Sequence, residues 1–293
     1  MPSIEQLNFD VPGGIGLRTE LSIRALAFAR ARGFLYERTD GAVPGVLFGQ
    51  DKSGSHGNFH PLSYQQICSN PQWARRLGKA HTAFKRFRVR ANWQWRELDC
   101  AHSSDALLMN IFCHPDVMTS TGVRGMLGIE SEATPEFGFK PRTPLHNGKR
   151  DNTEIDMKID QLLVEAKLTE SDFQSARFDL ISRYRDLEDL FELADLPLRN
   201  GKHCSYQLIR GTLAAYAIGY SFCVFCDARR PDLIEAWYRI MGAVRPLELR
   251  YRLKLLTWQE LAMVLPDELQ QFLGSKYGIH CASALHSFLR RTE

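Results

Sequence analysis

The stretch Glu154–Glu170, EIDMKIDQLLVEAKLTE, holds two short apolar-alternating runs separated by Asp160 and Gln161. Read as the strands EIDMKI and LLVEAKL joined by a two-residue turn, the tightest hairpin the spacing permits, they pair by counting outward from the turn. Ile159 then faces Leu162, Lys158 faces Leu163, Asp156 faces Glu165 and Glu154 faces Lys167. Alternation along each strand puts Ile155, Met157, Ile159, Leu162, Val164, Ala166 and Leu168 on one apolar face and the charged residues on the other. Directly opposed residues have Cβ atoms about 5 Å apart, so Asp156 and Glu165 set two like charges side by side, an arrangement that destabilises a sheet. A divalent cation would offset the repulsion. Mg²⁺ is commonly held by one or two carboxylates, with water and substrate phosphate in the remaining positions at roughly 2.1 Å. Lys167 points the same way as Glu165 and could orient or activate a water, or stabilise charge on a phosphate. An exposed hairpin in which Lys158 and a Glu154–Lys167 pair neutralise the acids fits the same spacing.

Outward from this hairpin the chain alternates helices and strands. On the N-terminal side, SSDALLMNIFCHP from Ser103 carries an N-cap serine, an apolar stripe at Leu107, Leu108, Ile111 and Phe112, and Pro115 as a stop, the pattern of a helix. Residues 130–152 between them read as a loop with a strand in its centre. On the C-terminal side, SDFQSARFDLISRYRDLEDLFELADLP reads as a long amphipathic helix, and YQLIRGTLAAYAIG as another ended by Gly219. The continuous apolar run YSFCVFCD suits a buried strand, LELRYRLKLL alternates as a strand, and TWQE from Thr257 is a capping box opening a last helical region. The order from Ser103 is helix, strand, strand, strand, helix, helix, strand, which is layered α/β. Before Ser103, TELSIRALAFARARG reads as a helix closed by Gly33, Ser63–Phe84 as one or two more, and residues 40–61 as a long loop.

At these residues the chain resembles the PD-(D/E)XK nuclease superfamily, the restriction-endonuclease-like fold, and within it the restriction-endonuclease-like proteins of bacteria. The resemblance rests on Asp156, eight residues, Glu165, one residue and Lys167 in an apolar hairpin between helices, with the helix HSSDALLMNIF before it and YQLIRG after, and spans Trp95 to Asp227. The motif itself is short and permissive, and Ile155 rather than proline precedes Asp156. The resemblance implies an αβββαβ core with a mixed central sheet flanked by helices, plus N-terminal and C-terminal additions. It implies Mg²⁺, with Mn²⁺ as a substitute, held by Asp156 and Glu165, Lys167 as the catalytic lysine, and DNA as substrate. Such families often add an acid from the first core helix, and Glu97 and Asp105 are the candidates. Gln207 of YQLIRG could touch substrate or a metal-bound water, or be a polar residue on a half-buried helix.

The rest of the sequence is consistent with a DNA-acting protein without requiring one. The 293 residues are enough for one large domain or two, drawn here as a basic, aromatic extension over 1–95 and a nuclease core over 96–293. Net charge is only +3, too small to mark a nucleic-acid binder by itself. Between Asp51 and Glu97, however, no acid occurs, while Arg75, Arg76, Lys79, Arg86, Arg88, Arg90 and Arg96 are interleaved with Trp73, Phe84, Phe87, Trp93 and Trp95. That segment is either a positive face for phosphates, with Arg86, Arg88, Arg90 and Arg96 as contacts, or a solvated face beside an aromatic core. No apolar run approaches the about 20 residues that span a bilayer, and the N-terminus lacks a signal-peptide pattern, so a cytoplasmic, non-membrane protein is expected. The seven scattered cysteines agree with a reducing compartment. Cys223 and Cys226 have C-x-x-C spacing but fall on opposite faces of a strand, which disfavours zinc, and PGGIG from Pro12 lacks the lysine of a phosphate loop. A homodimer remains open. Two other readings survive: a catalytically silent nucleic-acid-binding module of the same fold, and a structural protein with a charge-balanced hairpin.

Overall fold

In the computed structural model, which describes residues 14–39, 45–80 and 96–280, the hairpin forms in the register counted from its turn. Ile159 pairs with Leu162, Lys158 with Leu163 and Met157 with Val164. Asp160 starts the turn at φ 49°, a left-handed conformation that aspartate adopts more readily than most residues.

The hairpin occupies the middle of a five-stranded mixed sheet. Strands β1 (Glu136–Phe139), β2 (Ile155–Ile159), β3 (Leu162–Ala166), β4 (Ser221–Cys226) and β5 (Leu253–Thr257) lie in the order β5-β4-β3-β2-β1. The β1, β2 and β3 pairings are antiparallel, and β3, β4 and β5 run parallel. Parallel neighbours need crossovers, and helices supply them. Numbering the principal helices along the chain gives α1 (Gly14–Arg32), α2 (Pro61–Ser69), α3 (Pro71–Leu77), α4 (Ser104–Phe112), α5 (Thr121–Leu127), α6 (Tyr206–Ile218), α7 (Pro231–Gly242) and α8 (Asp267–Tyr277). Helix α6 links β3 to β4 and α7 precedes β5, and both pack with Leu163, Phe222, Val224 and Leu253 in one apolar core. This is the restriction-endonuclease-like α/β architecture. As a central strand, β3 is buried at every position, where the hairpin alone suggested one wet face.

The chain divides into two compact units, residues 121–258 and residues 1–120 with 259–293. The first contains the sheet, and its own leading helix is α5. Helix α4, read from the sequence as the first core helix, forms where expected with Ser103 Oγ accepting from Ala106 N at 3.1 Å, but it belongs to the other unit. Val46–Phe48 pairs with Tyr36–Arg38 as a strand inside the stretch 40–61 read as loop.

Two elements differ from the sequence reading. The long helix expected from Ser171 is instead a chain of short pieces: Ser175–Ala176 as a strand, single helical turns at Phe178–Ile181 and Leu187–Leu190, and a 3₁₀ turn at Leu193–Asp195. Its buried residues Ile181, Tyr184, Leu187 and Leu190 recur every third position, which suits tight turns rather than an α-helical stripe. The segment is also tied down along its length. Tyr184 Oη donates to Asp151 Oδ2 at 2.5 Å, Arg185 N to Pro144 O, and His146 N to Arg183 O. Likewise LELRYRLKLL is not one strand: Leu247–Arg250 makes a helical turn after Pro246, and β5 starts only at Leu253. Cys223 and Cys226 are buried on β4, and Cys226 packs in the α6–α7 core.

In the unit containing α1, His102 is buried and its Nε2 lies 2.9 Å from Ser22 Oγ, which itself donates to Arg18 O. Burial, reinforced by Arg18, pushes the His102 pKa down to about 3. The unfolded chain binds this proton near pH 6.5 and the folded chain does not, so stability present above pH 6.5 is lost as pH falls from 6.5 toward 3. At pH 5 the loss amounts to roughly 2 kcal/mol. The difference in urea midpoint between pH 8 and pH 5 should therefore shrink in His102→Asn; an equal pH dependence in variant and wild type would refute the assignment.

Candidate active site

Glu165 on β3 and Lys167 just beyond it share one face of the strand, and Asp156 reaches them from β2. The register extended one place from Met157–Val164 sets Asp156 opposite Glu165. The expected crowding of carboxylates is met within the protein by Lys167, whose Nζ lies 2.8 Å from Glu165 Oε1. Arg210 Nη2 donates to the Glu154 backbone carbonyl at 3.1 Å, and Lys158, the other proposed neutraliser, pairs across β1–β2 with Glu136 at 2.6 Å.

The surroundings of the trio explain its stability. Glu165 and Lys167 are only 1% and 4% exposed, and Asp156 is half-buried. Asp156 Oδ2 accepts from Ala166 N at 2.8 Å, so β2 holds that carboxylate through β3's own backbone. Ile155, Val164 and Ala166 are fully buried behind the charges. Burial draws the Lys167 pKa down, but Glu165, Asp156 and Glu170 outweigh it and hold the ammonium above the ordinary lysine value. Lys167 is therefore a fixed positive charge at neutral pH. Its Nζ also sits 5.6 Å from the centre of the Phe173 ring, a cation–π contact.

Gln207 joins the trio, donating from Nε2 to Glu165 Oε1 at 2.8 Å. Local structure fixes it there. The first N–H groups of α6 donate to Gln174 O and Phe173 O at 3.0 Å each, docking the helix start against the chain that leaves β3. Helix α6 approaches β4 closely because Gly211 faces Phe222; a Cβ at residue 211 would meet that ring at 2.3 Å. Two residues beside the site were not singled out in the sequence. Arg210, buried on the same helix, follows Gln207 by three positions, and that spacing was the available signal. Glu170, whose Oε2 accepts from Leu168 N at 2.6 Å, adds negative charge near Lys167 from a loop that offers no periodic signal.

The remaining sequence candidates are Glu97, Asp105 and the arginines of the basic segment. Glu97 and Asp105 belong to the unit of residues 1–120 and 259–293. There Asp105 is engaged by Arg76 at 2.9 Å and Lys79 at 2.7 Å, so these two cations of the basic segment are paired internally. Glu97 opens a 3₁₀ turn, and its N–H donates to Lys79 O. Arg96 is exposed; Arg86, Arg88 and Arg90 lie outside the described residues.

One oxygen at the site is unexplained by the protein alone. Glu165 Oε2 is buried and has no hydrogen-bond partner, and leaving an anionic acceptor buried and unpaired is costly. A hard divalent cation takes such oxygens, and one or two carboxylates suffice when water completes the shell. Glu165 Oε2 with the Asp156 carboxylate is thus a donor set that fits Mg²⁺ or Mn²⁺. Among the described residues no helix is long and apolar enough to cross a membrane.

No curated protein and no solved structure matches the chain. A family model described as Restriction Endonuclease associating with ARP matches residues 27–278, which takes in the five-stranded sheet, the Asp156–Glu165–Lys167 cluster and most of the second unit. The chain belongs to that family and is a restriction-endonuclease-like protein.

Proposed function

We propose that the protein hydrolyses DNA phosphodiester bonds with Mg²⁺ or Mn²⁺ at the Asp156–Glu165–Lys167 cluster. The single observation that supports this most is the unpartnered, buried Glu165 Oε2 beside Asp156 and a lysine held protonated. Asp156 and Glu165 are the residues that would hold the ion. Bound there, a divalent cation would polarise a phosphoryl oxygen and lower the pKa of a coordinated water.

The chain's own groups divide the remaining work. Lys167 stays charged at neutral pH, so its role is to stabilise negative charge on the phosphate and orient a water as a donor, not to remove a proton. Gln207 positions the Glu165 carboxylate through the Oε1 contact, leaving Oε2 available to an ion. Arg210, with its charge beside the Glu154 carbonyl, adds positive potential for a phosphate backbone. Arg96, together with Arg86, Arg88 and Arg90, is proposed to contact DNA phosphates. Under this reading, residues 96–293 remain the chain's nuclease core and 1–95 its basic extension.

The decisive assay is nicking of supercoiled plasmid by the purified chain with Mg²⁺, with Mn²⁺ and with EDTA. Nicked or linear product with either ion and none with EDTA is expected. DNA binding without cleavage in any metal would instead identify a silent binding module of the same fold.

A further inference from the structure

Outside the sheet unit, His60, His114 and Glu268 each offer one ligand atom, and these atoms all lie within 4.8 Å of one another. We propose that they form a second metal site, selective for a borderline transition cation of the Zn²⁺ type. It is independent of the nuclease reading and uses none of its residues.

Three elements of one compact unit bring the ligands together. His60 is the residue before α2, and its N–H donates to Asn110 Oδ1 of α4 at 2.6 Å. Asn110 is itself locked by donating to Asn58 O and Ala106 O, so the His60 backbone is fixed against α4. His114 follows the C-terminal end of α4, with its N–H on Ile111 O. Glu268 stands in the first turn of α8. The two imidazoles lie with ring centres 5.1 Å apart, and Phe272 packs edge-on against His60 at 5.5 Å.

The chemistry of the set points to a cation. His60 is 7% exposed and its Nδ1 has no hydrogen-bond partner, an arrangement that burial penalises. His114 Nε2 and Glu268 Oε1 are 3.2 Å apart, close to the roughly 3.3 Å edge of a tetrahedron with 2.0–2.1 Å metal–ligand bonds. Two imidazoles and a carboxylate suit Zn²⁺ far better than Mg²⁺, which prefers an all-oxygen shell. The Glu268 side chain is 53% exposed, so the fourth position opens toward water, as in three-ligand zinc sites. Without the ion, Asp116 N donates to His114 Nδ1 at 3.3 Å, leaving the proton on Nε2 for Glu268. Coordination through Nε2 moves that proton to Nδ1 and gives up the long Asp116 contact.

The test uses the full chain, stripped with chelator and titrated with Co²⁺ followed by Zn²⁺. Four- or five-coordinate Co²⁺ gives intense visible bands that an octahedral oxygen site lacks, and Zn²⁺ should erase them at one equivalent. Glu268→Gln, at a mostly exposed position, should weaken Co²⁺ binding by more than about tenfold, since even loss of an outer-shell partner costs that much. His60→Gln in addition should remove the bands, while Asp156→Asn should leave them unchanged. Thermal melts report folding of each variant, and Zn²⁺ should raise the wild-type midpoint but not that of Glu268→Gln. Octahedral-only spectra, bands that survive the double change, or bands lost in Asp156→Asn would overturn the proposal.

Discussion

Replacing Lys167 by alanine is expected to reduce plasmid cleavage by at least about 10²–10³-fold, the usual cost of losing one preorganised charge at a reacting phosphate or oxyanion. The same change should destabilise the protein. Lys167 is 4% exposed and its partner Glu165 1%, so alanine leaves an uncompensated buried carboxylate, a loss of about 3–5 kcal/mol in comparable pairs. Because the folded pKa of Lys167 lies above the ordinary value, its contribution is complete below roughly pH 10 and fades only as pH rises further. The full deficit should therefore appear in urea melts at pH 7–8. If Asp156 and Glu165 hold a divalent ion, Mn²⁺ at about 100 times its Kd should return roughly 2.7 kcal/mol to the variant. A charge-balanced hairpin with no metal predicts the same destabilisation and no rescue by any ion. Cleavage that survives in a folded Lys167→Ala protein would remove Lys167 from the mechanism.

The hairpin was legible because its information is local. A two-residue spacer fixes register, register fixes facing pairs, and the facing pairs place Asp156, Glu165 and Lys167 together. The β4 strand was legible for a related reason, since a continuous apolar run suits a strand covered on both faces. What failed depended on tertiary contacts. The expected helix after Ser171 has enough apolar residues for an amphipathic stripe, yet Tyr184 is drawn to Asp151 and the backbone to Pro144 and His146, and these bonds outweigh propensity. The Lys167–Glu165 ion pair is invisible to pairing counts, which ignore a side chain's reach along its own strand, here bringing Nζ to Glu165 two residues back. Glu97 and Asp105 rest on nearness in sequence to helix α4, which belongs to the other unit, so the hairpin's local register carries no information about them. Gln207 could be flagged but not assigned, since its contact with Glu165 depends on α6 docking through Gly211 against Phe222.

The two carboxylates should separate when each is neutralised. Asp156→Asn keeps an oxygen that can accept from Ala166 N, so the hairpin retains that bond. Lys167 loses one of the negative charges around it but keeps its direct partner Glu165. Stability without metal should consequently change by no more than about 1 kcal/mol. If Asp156 and Glu165 hold the ion, cleavage should nevertheless disappear, and the thermal shift that Mg²⁺ or Mn²⁺ gives the wild type should disappear with it, because an anionic oxygen that would touch the ion is gone. Glu165→Gln removes the counter-charge of a buried ammonium, so it should lose cleavage and also about 3–5 kcal/mol of stability. That loss should be smaller at pH values high enough to neutralise Lys167, whose pKa falls once Glu165 no longer opposes the effect of burial. Calorimetric titration with Mn²⁺, urea melts between pH 7 and pH 10 and plasmid nicking on both variants measure all of these quantities. Equal destabilisation by the two changes would contradict the unequal burial on which the argument rests. An unaltered metal-induced shift in Asp156→Asn would place the ion elsewhere than between these two strands.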